Sequence, residues 1–139
     1  MVIKKTFSAK LDQLHSMLHW IQNQLVPMQY DQAILSKIEL ASEEALVNII
    51  HHAYKDRSGK IEIEVNSFPG KRVEISIRDQ GPPFNPLEYS SKIDLNASLE
   101  DREEGGLGIF FLLKCMDEVR YEREKGSNVL ILIHSSQTK

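Results

Sequence analysis

The chain has 139 residues, a formal net charge of −3, and apolar and charged fractions of 41% and 27%, which are ordinary for one soluble globular domain. The weak acidic balance, with no stripe of lysine and arginine, does not favour nucleic-acid binding. The single cysteine, Cys115, excludes a disulfide within these residues and a cysteine-based zinc site, and its apolar neighbours in IFFLLKCM favour a small buried hydrophobe over a reactive thiol.

The first half of the sequence predicts one strand and two helices. Residues 2–9 (VIKKTFSA) allow a short strand, and apolar residues then recur at the three- and four-residue spacings of an amphipathic helix: Leu11, Leu14, Leu18, Ile21 and Leu25. Pro27 ends this helix or closely follows its end. A second helix is predicted over about 30–54, and the sequence RSG at 57–59 breaks it. Its apolar face holds residues four or seven positions apart: Ile34, Ile38, Ala45, Ile49 and Ala53.

The second half predicts two hairpins on either side of a long connection. Alternating apolar residues in KIEIEV (60–65) and RVEISIRD (72–79) indicate half-buried strands joined by the turn FPG. The pattern stops from about 80 to 104, and a connection of this length is usually functional or mobile. An apolar helix through Met116 follows, and EVRYERE and SNVLILIH then predict a closing hairpin around the KG pair at 125–126.

The predicted element order, β-α-α-β-β-loop-α-β-β, indicates the fold class. Strands that are mostly joined as hairpins form an antiparallel or mixed sheet, and the helices must then cover one of its faces. We therefore predict an α+β fold, a two-layer sandwich in which residues 1–139 form a single domain.

Glu44 and Asn48 on the second predicted helix lie four residues apart, so their side chains share one helix face. They stand at the edge of the apolar stripe, and His51 and His52 continue that edge. Taken alone, the pattern favours a solvated helix flank. The alternative is a functional pair, because a carboxylate can take up a proton and an amide oxygen can ligate a hard cation.

Two further segments allow both a structural and a functional interpretation. Asp79 ends a strand, with Gly81 two residues later, which is consistent with a plain turn or with a carboxylate that accepts a hydrogen bond from an exocyclic amine. The segment EEGGLGIFF places Gly105, Gly106 and Gly108 directly before an apolar helix. Such glycines form either a flexible hinge or a cradle in which backbone N–H groups and the helix dipole hold a phosphate, although no Walker motif is present.

Taken together in chain order, these features resemble the N box and the two glycine boxes of the GHKL (Bergerat-fold) ATPases. E-x-x-x-N lies on a helix, D-x-G follows a strand, and G-G-L-G precedes a helix after a long polar loop. The resemblance covers about positions 5–134. The stretches EEALVNIIHHAYKD, RDQGPPFNP and GGLGIFFLLKCMDEVRYER are most similar to the small, free-standing anti-sigma factor branch.

The resemblance implies a role for each residue that matches a family motif. Glu44 would be the general base that activates the attacking hydroxyl, and Asn48 would ligate the Mg²⁺ that bridges the nucleotide phosphates. Asp79 would accept the adenine amino group, and Gly81 would let the backbone come close. The residues beside the phosphates would be Gly105, Gly106, Leu107 and Gly108.

The remaining implied positions surround the nucleotide. Residues of about 86–104 would form the ATP lid, from which Lys92 or Arg102 could reach the phosphates. Ser127 matches a family threonine near the adenine, and His52, counted with the cofactor-binding residues, matches a histidine that is common in this branch.

The same resemblance implies an anti-sigma factor with serine/threonine protein kinase activity. Such a protein would bind ATP and Mg²⁺, hold a sigma factor inactive and phosphorylate an anti-anti-sigma (STAS-type) partner, without contacting nucleic acid directly. A homodimer through the first strand and first helix is expected on the same basis. We also expect a cytoplasmic protein without a membrane partner, because IFFLL and VLILI are far shorter than the roughly 20 residues of a membrane span.

Two other functions stay open at this point. Pro83 stands where many relatives have a second glycine in the first glycine box, which motivates a module that sequesters a partner, with or without nucleotide, and transfers nothing. The third possibility is a detached histidine-kinase-type catalytic domain. The sequence shows no phospho-acceptor segment for this activity.

Overall fold

The computed structural model describes residues 1–54, 58–88 and 106–135. These residues form five strands and three α-helices in the predicted order: β1 (Val2–Ser8), α1 (Leu14–Gln24), α2 (Gln32–Ala53), β2 (Lys60–Phe68), β3 (Arg72–Asp79), α3 (Gly106–Cys115), β4 (Glu118–Glu124) and β5 (Ser127–Ser135). The structure is therefore of the α+β class, as predicted.

The five strands form one sheet in the order β1-β2-β3-β5-β4, and each neighbouring pair is antiparallel. The sequence left open whether the sheet is antiparallel or mixed. β5 pairs with both β3 and β4, so the last strand of the chain lies inside the sheet and β4 lies at its edge. This pairing places Asp79, at the end of β3, directly opposite Asn128, near the start of β5.

One face of the sheet packs against the helices and forms the core. The alternating residues predicted to point inward, such as Ile63 on β2 and Ile75 on β3, are fully buried, together with Ile21 of α1, Leu46 of α2 and Leu112 of α3. Each such side chain contributes about 1.5–3 kcal/mol relative to an exposed position. This continuous apolar layer fixes α2 and α3 against the sheet.

The start of the first helix differs from the prediction. Leu11, predicted on its apolar face, is 55% exposed and belongs to a separate single turn of 3₁₀ helix, Leu11–Gln13. No side chain caps that turn and none of its residues is buried. Packing against the core begins with the half-buried Leu14, and the first buried side chains of α1 are Met17 and Leu18. The predicted end is correct, because α1 stops at Gln24 and Pro27 lies in the following 3₁₀ turn.

Cys115 is less buried than predicted. It lies at the last position of α3, half-buried at the margin of the core rather than inside it. Burial raises the pKa of its thiol, while Lys37 opposes the rise, so the neutral thiol is favoured. The interpretation of Cys115 as an unreactive side chain therefore agrees with its surroundings.

Several predicted positions lie outside the described residues. They are Arg57, most of the predicted lid (89–104, with Lys92 and Arg102) and Gly105. The first three lid residues, 86–88, form a short 3₁₀ turn. No helix in the described ranges combines the length and the apolar character that a membrane crossing requires.

Candidate functional site

The second half of α2 connects the three sequence motifs. Glu44, Asn48 and His52 follow one another at four-residue steps, about 6 Å apart along the helix axis. Glu44 lies against Gly108 in the first turn of α3, and His52 stacks on Phe84 in the segment after β3. The fold therefore brings the three motifs to one place, although they are separated by up to 64 residues in the sequence.

Glu44 is half-buried, and its carboxylate occupies space that only a glycine leaves free. A Cβ atom added at Gly108 would overlap Glu44 Oε2 and lie 3.2 Å from Cδ. Burial raises the pKa of Glu44, and the neighbouring Glu43 carboxylate adds to the rise. A carboxylate with a raised pKa is a stronger proton acceptor, which agrees with the predicted general base.

Asn48 is 8% exposed, and its Oδ1 atom has no hydrogen-bond partner in the described part of the chain. A buried acceptor left without a partner costs about 1–3 kcal/mol, so this oxygen is suited to an external ligand. An amide oxygen is a ligand that Mg²⁺ accepts, and Mg²⁺ characteristically takes few protein ligands together with substrate phosphates. The described residues contain no cluster of three histidine, cysteine or acidic side chains able to hold a metal.

Asp79 is 3% exposed and is held by two hydrogen bonds to the same oxygen. Gly81 N–H donates to Asp79 Oδ1 at 2.9 Å, and the Asn128 side-chain amide donates to it at 3.0 Å. The described residues make no hydrogen bond to Oδ2. The second carboxylate oxygen is therefore free to accept a donor from a ligand.

Gly81, in the segment after β3, packs closely against the last residue of α2, Ala53. A Cβ atom added there would lie 2.5 Å from the backbone oxygen of Ala53, and a backbone atom cannot swing aside. The Tyr54 hydroxyl accepts from Gln80 N–H at 2.7 Å and donates to the Lys60 carbonyl at 2.9 Å. The D-x-G turn is thus fixed to the end of α2 on one side, and Arg123 on β4 donates to the Gly81 carbonyl on the other, at 2.8 Å.

Sequence reasoning selected Ser127 but missed its neighbour Asn128. Ser127 is buried without a hydrogen bond to Asp79 among the described contacts, and its predicted place near an adenine stays a prediction. Asn128 makes that contact instead. A signal for it was present in the sequence, because Asn128 is in phase with the core-facing Leu130 and Leu132 of the same strand.

The helix start predicted to cradle phosphates is partly described. α3 begins at Gly106, so the backbone N–H groups of its first turn lack helical partners, as at any helix N-terminus. Leu107 lies in this turn. The proximity of Glu44 to Gly108 brings the helix start beside the predicted base.

Comparison with known proteins identifies the family of this chain. A sequence model of the family described as "Histidine kinase-like ATPase domain" matches residues 7–134. The serine-protein kinase RsbW of Bacillus mycoides (strain KBAB4) is 33% identical over 100 residues, and that of Bacillus cereus (strain G9842) is 32% identical over 100 residues. Each match covers 70% of this chain but only 62% of the relative, so the chain spans less than two thirds of these curated proteins.

Two solved structures share the fold. The structure of the RsbU and RsbW domains of Rv1364c from Mycobacterium tuberculosis aligns with a TM-score of 0.68 at 17% identity, covering 100% of this chain and 34% of that chain. The mycobacterial sensor histidine kinase MprB aligns with a TM-score of 0.55 at 13% identity, covering 94% of this chain and 97% of that chain. At such identities the likeness concerns the fold alone.

Proposed function

Because the chain belongs to the family of histidine kinase-like ATPase domains, we propose that it binds ATP with Mg²⁺ and phosphorylates a serine or threonine of a partner protein. One observation carries this proposal. A half-buried carboxylate with a raised pKa (Glu44) and a buried amide oxygen to which no described residue donates a hydrogen bond (Asn48) lie one helical turn apart on α2, which also contacts the Asp79 turn and the start of α3.

The nucleotide would lie between the Asp79 turn and the start of α3. Asp79 Oδ2 would accept a hydrogen bond from the exocyclic amine of adenine. The backbone N–H groups at the start of α3 would approach the phosphates, and the residues concerned are Gly105, Gly106, Leu107 and Gly108. Asn48 Oδ1 would hold the Mg²⁺ ion, which neutralises phosphate charge during transfer when it is bound. His52 would act indirectly through its stacking on Phe84, at 4.7 Å between ring centroids.

Glu44 would receive the proton of the attacking hydroxyl. As that proton moves to the carboxylate, the hydroxyl oxygen forms a bond to the γ-phosphorus, and the bond from the γ-phosphorus to the bridging oxygen breaks, releasing ADP. Phosphoryl transfer requires mainly positioning and neutralisation of charge, so a single proton acceptor beside the phosphate site is sufficient.

The biological role is proposed from the relatives, which are named serine-protein kinase RsbW. We infer an anti-sigma factor of the cytoplasm that sequesters a sigma factor and phosphorylates an anti-anti-sigma protein. A homodimer through β1 and α1 is supported by the unpaired outer edge of β1 in the described sheet and by the exposed apolar side chains Val2 and Ile3.

Transfer of labelled γ-phosphate from ATP to the anti-anti-sigma protein of the same organism tests the proposal. Wild-type protein with Mg²⁺ should give acid-stable phosphate on the partner. Glu44→Gln should lower the rate by about 100-fold or more with ATP affinity retained, because it removes the proton acceptor while keeping its shape. Glu43→Gln is the matched control. It removes the adjacent carboxylate, which raises the pKa of Glu44 less than burial does, so transfer should stay largely intact.

Three outcomes would each contradict a part of this proposal. Equal rates for Glu44→Gln and Glu43→Gln would refute the assignment of the base. ATP binding without transfer to the partner would favour the sequestering module. Acid-labile phosphate on the target would favour a histidine kinase.

A further inference from the structure

Asn128 is the most highly connected polar side chain beside the Asp79 turn. It is 4% exposed and makes four hydrogen bonds. Its Nδ2 donates to Asp79 Oδ1 at 3.0 Å and to the Pro82 carbonyl at 2.8 Å. Its Oδ1 accepts from Phe84 N–H at 3.2 Å and from the Tyr121 hydroxyl. All donors and acceptors of one buried amide are thereby used.

The backbone determines which way this amide points. Phe84 N–H can only donate, so it requires the oxygen of Asn128, and the Pro82 carbonyl can only accept, so it requires the nitrogen. The Asn128 N–H group beside Asp79 is therefore fixed by its surroundings and is not an arbitrary choice between two amide orientations. The carboxylate of Asp79 is in turn held by Oδ1, and no hydrogen bond from the described residues reaches Oδ2.

Asn128 also anchors the segment that contains Pro82 and Pro83. Pro82 and Pro83 have no N–H group, so the chain at these positions cannot donate hydrogen bonds of its own. The Asn128 side chain supplies a donor to the Pro82 carbonyl and an acceptor to Phe84 N–H. The segment that carries Phe84 under His52 is thus attached to the same amide that orients Asp79.

We propose that Asn128 is a positioning residue that sets base selectivity, orienting Asp79 so that the site accepts a purine with a 6-amino group and rejects one with a 6-oxo group. This inference rests on the proposed nucleotide binding. A fixed carboxylate oxygen accepts a hydrogen bond from an amine but repels the lone pairs of a carbonyl oxygen. Without Asn128, Asp79 keeps only the local Gly81 N–H bond and its side chain can rotate away from the amine.

A matched pair of variants tests this role by titration calorimetry with ATP and with ITP, whose 6-oxo group replaces the amine. Asn128→Val and Asn128→Thr have almost the same shape, and both suit a buried strand, but only threonine keeps a hydroxyl that can donate to Asp79. Asn128→Val should weaken ATP binding about tenfold and change ITP binding by less than about twofold. Asn128→Thr should retain part of the preference for ATP over ITP.

Several results would contradict this role of Asn128. Equal weakening of ATP and ITP by Asn128→Val would show a merely structural role and overturn the inference, as would identical selectivity of the valine and threonine variants. A third result would be that wild-type protein binds ATP, that Asp79→Ala abolishes this binding and that Asn128→Val retains it. This result would overturn the role of Asn128 and leave the proposed function standing. Wild-type protein that binds neither nucleotide would overturn both.

Discussion

Three buried side-chain atoms have no hydrogen-bond partner within the described residues: Ser42 Oγ, Asn48 Oδ1 and His134 Nδ1. These atoms differ in their surroundings and therefore in their expected roles. Asn48 lies one turn from Glu44 in the candidate site, where a bound cation would satisfy its oxygen. His134 lies six residues along β5 from Asn128, about 20 Å away, on the side of Tyr30 and Asp117. Its unsatisfied nitrogen therefore affects stability rather than nucleotide binding.

His134 should make the protein sensitive to acid. Burial lowers its pKa from 6.5, Lys37 adds to the decrease, and Asp117 opposes it. The unfolded chain therefore binds the proton more readily than the folded state, so the contribution to stability is present above about pH 6.5 and is lost as the pH falls towards the lowered pKa. His134→Phe removes this proton site and keeps a ring against Tyr30.

Urea unfolding near neutral pH and about one pH unit below 6.5 would measure the effect. The free energy of unfolding of His134→Phe should rise relative to wild type as the pH falls. A difference between the two proteins that does not change with pH would contradict this account of His134.

The sequence predicted the individual polar residues of the candidate site better than the residues that hydrogen-bond to them. Glu44, Asn48 and Asp79 could be selected because each stands at a recognisable position on a helix or strand. Asn128 could not be linked to Asp79, because that contact depends on the pairing of β3 with β5 and the two residues are 49 apart in the sequence. A buried amide in phase with a strand's core face is visible in the sequence, but its partner is not.

Among the elements, α2 determines the geometry of the site. Asp31 caps its N-terminus by accepting from Ile34 N–H at 2.9 Å, and the apolar residues on its inner face anchor it to the sheet. Positions 44, 48 and 52 then fall in one row because the helix is continuous over 22 residues. The sequence predicted this helix well, since hydrophobic periodicity is a local property.

Gly108→Ala should separate catalysis from folding. The added Cβ would displace only the flexible end of the Glu44 side chain, and alanine favours a helix over glycine by up to about 1 kcal/mol. We therefore expect unfolding stability within about 1 kcal/mol of wild type and transfer slowed about tenfold or more, because the base is displaced. ATP affinity should change little.

Leu113→Ala is the control for this experiment, because Leu113 lies on the same helix and is 37% exposed. Kinase assays on both variants and on wild type would provide the comparison. Transfer at the wild-type rate in Gly108→Ala would mean that the contact with Glu44 does not position the base.

For the molecule as a whole, the strand order brings the separate parts of the candidate site together. The fold class followed from the sequence, because paired alternating strands and amphipathic helices permit few arrangements. The position of β5 between β3 and β4 did not follow, since hairpin signals specify only neighbours along the chain. Because of this insertion, Asn128 contacts Asp79 and Arg123 contacts Gly81. The candidate site therefore consists of local sequence motifs that are held together by contacts between residues far apart in the sequence.

Titration of ATP with Mg²⁺ into wild type and Asp79→Asn tests the central claim most directly. Two donors, Gly81 N–H and the Asn128 amide, hold Oδ1, so the oxygen of the new asparagine should stay there and its NH₂ group should face the adenine amine. The account predicts one ATP bound per wild-type chain and affinity about tenfold or more lower in Asp79→Asn. No binding to wild type, or equal affinity in the two proteins, would contradict it.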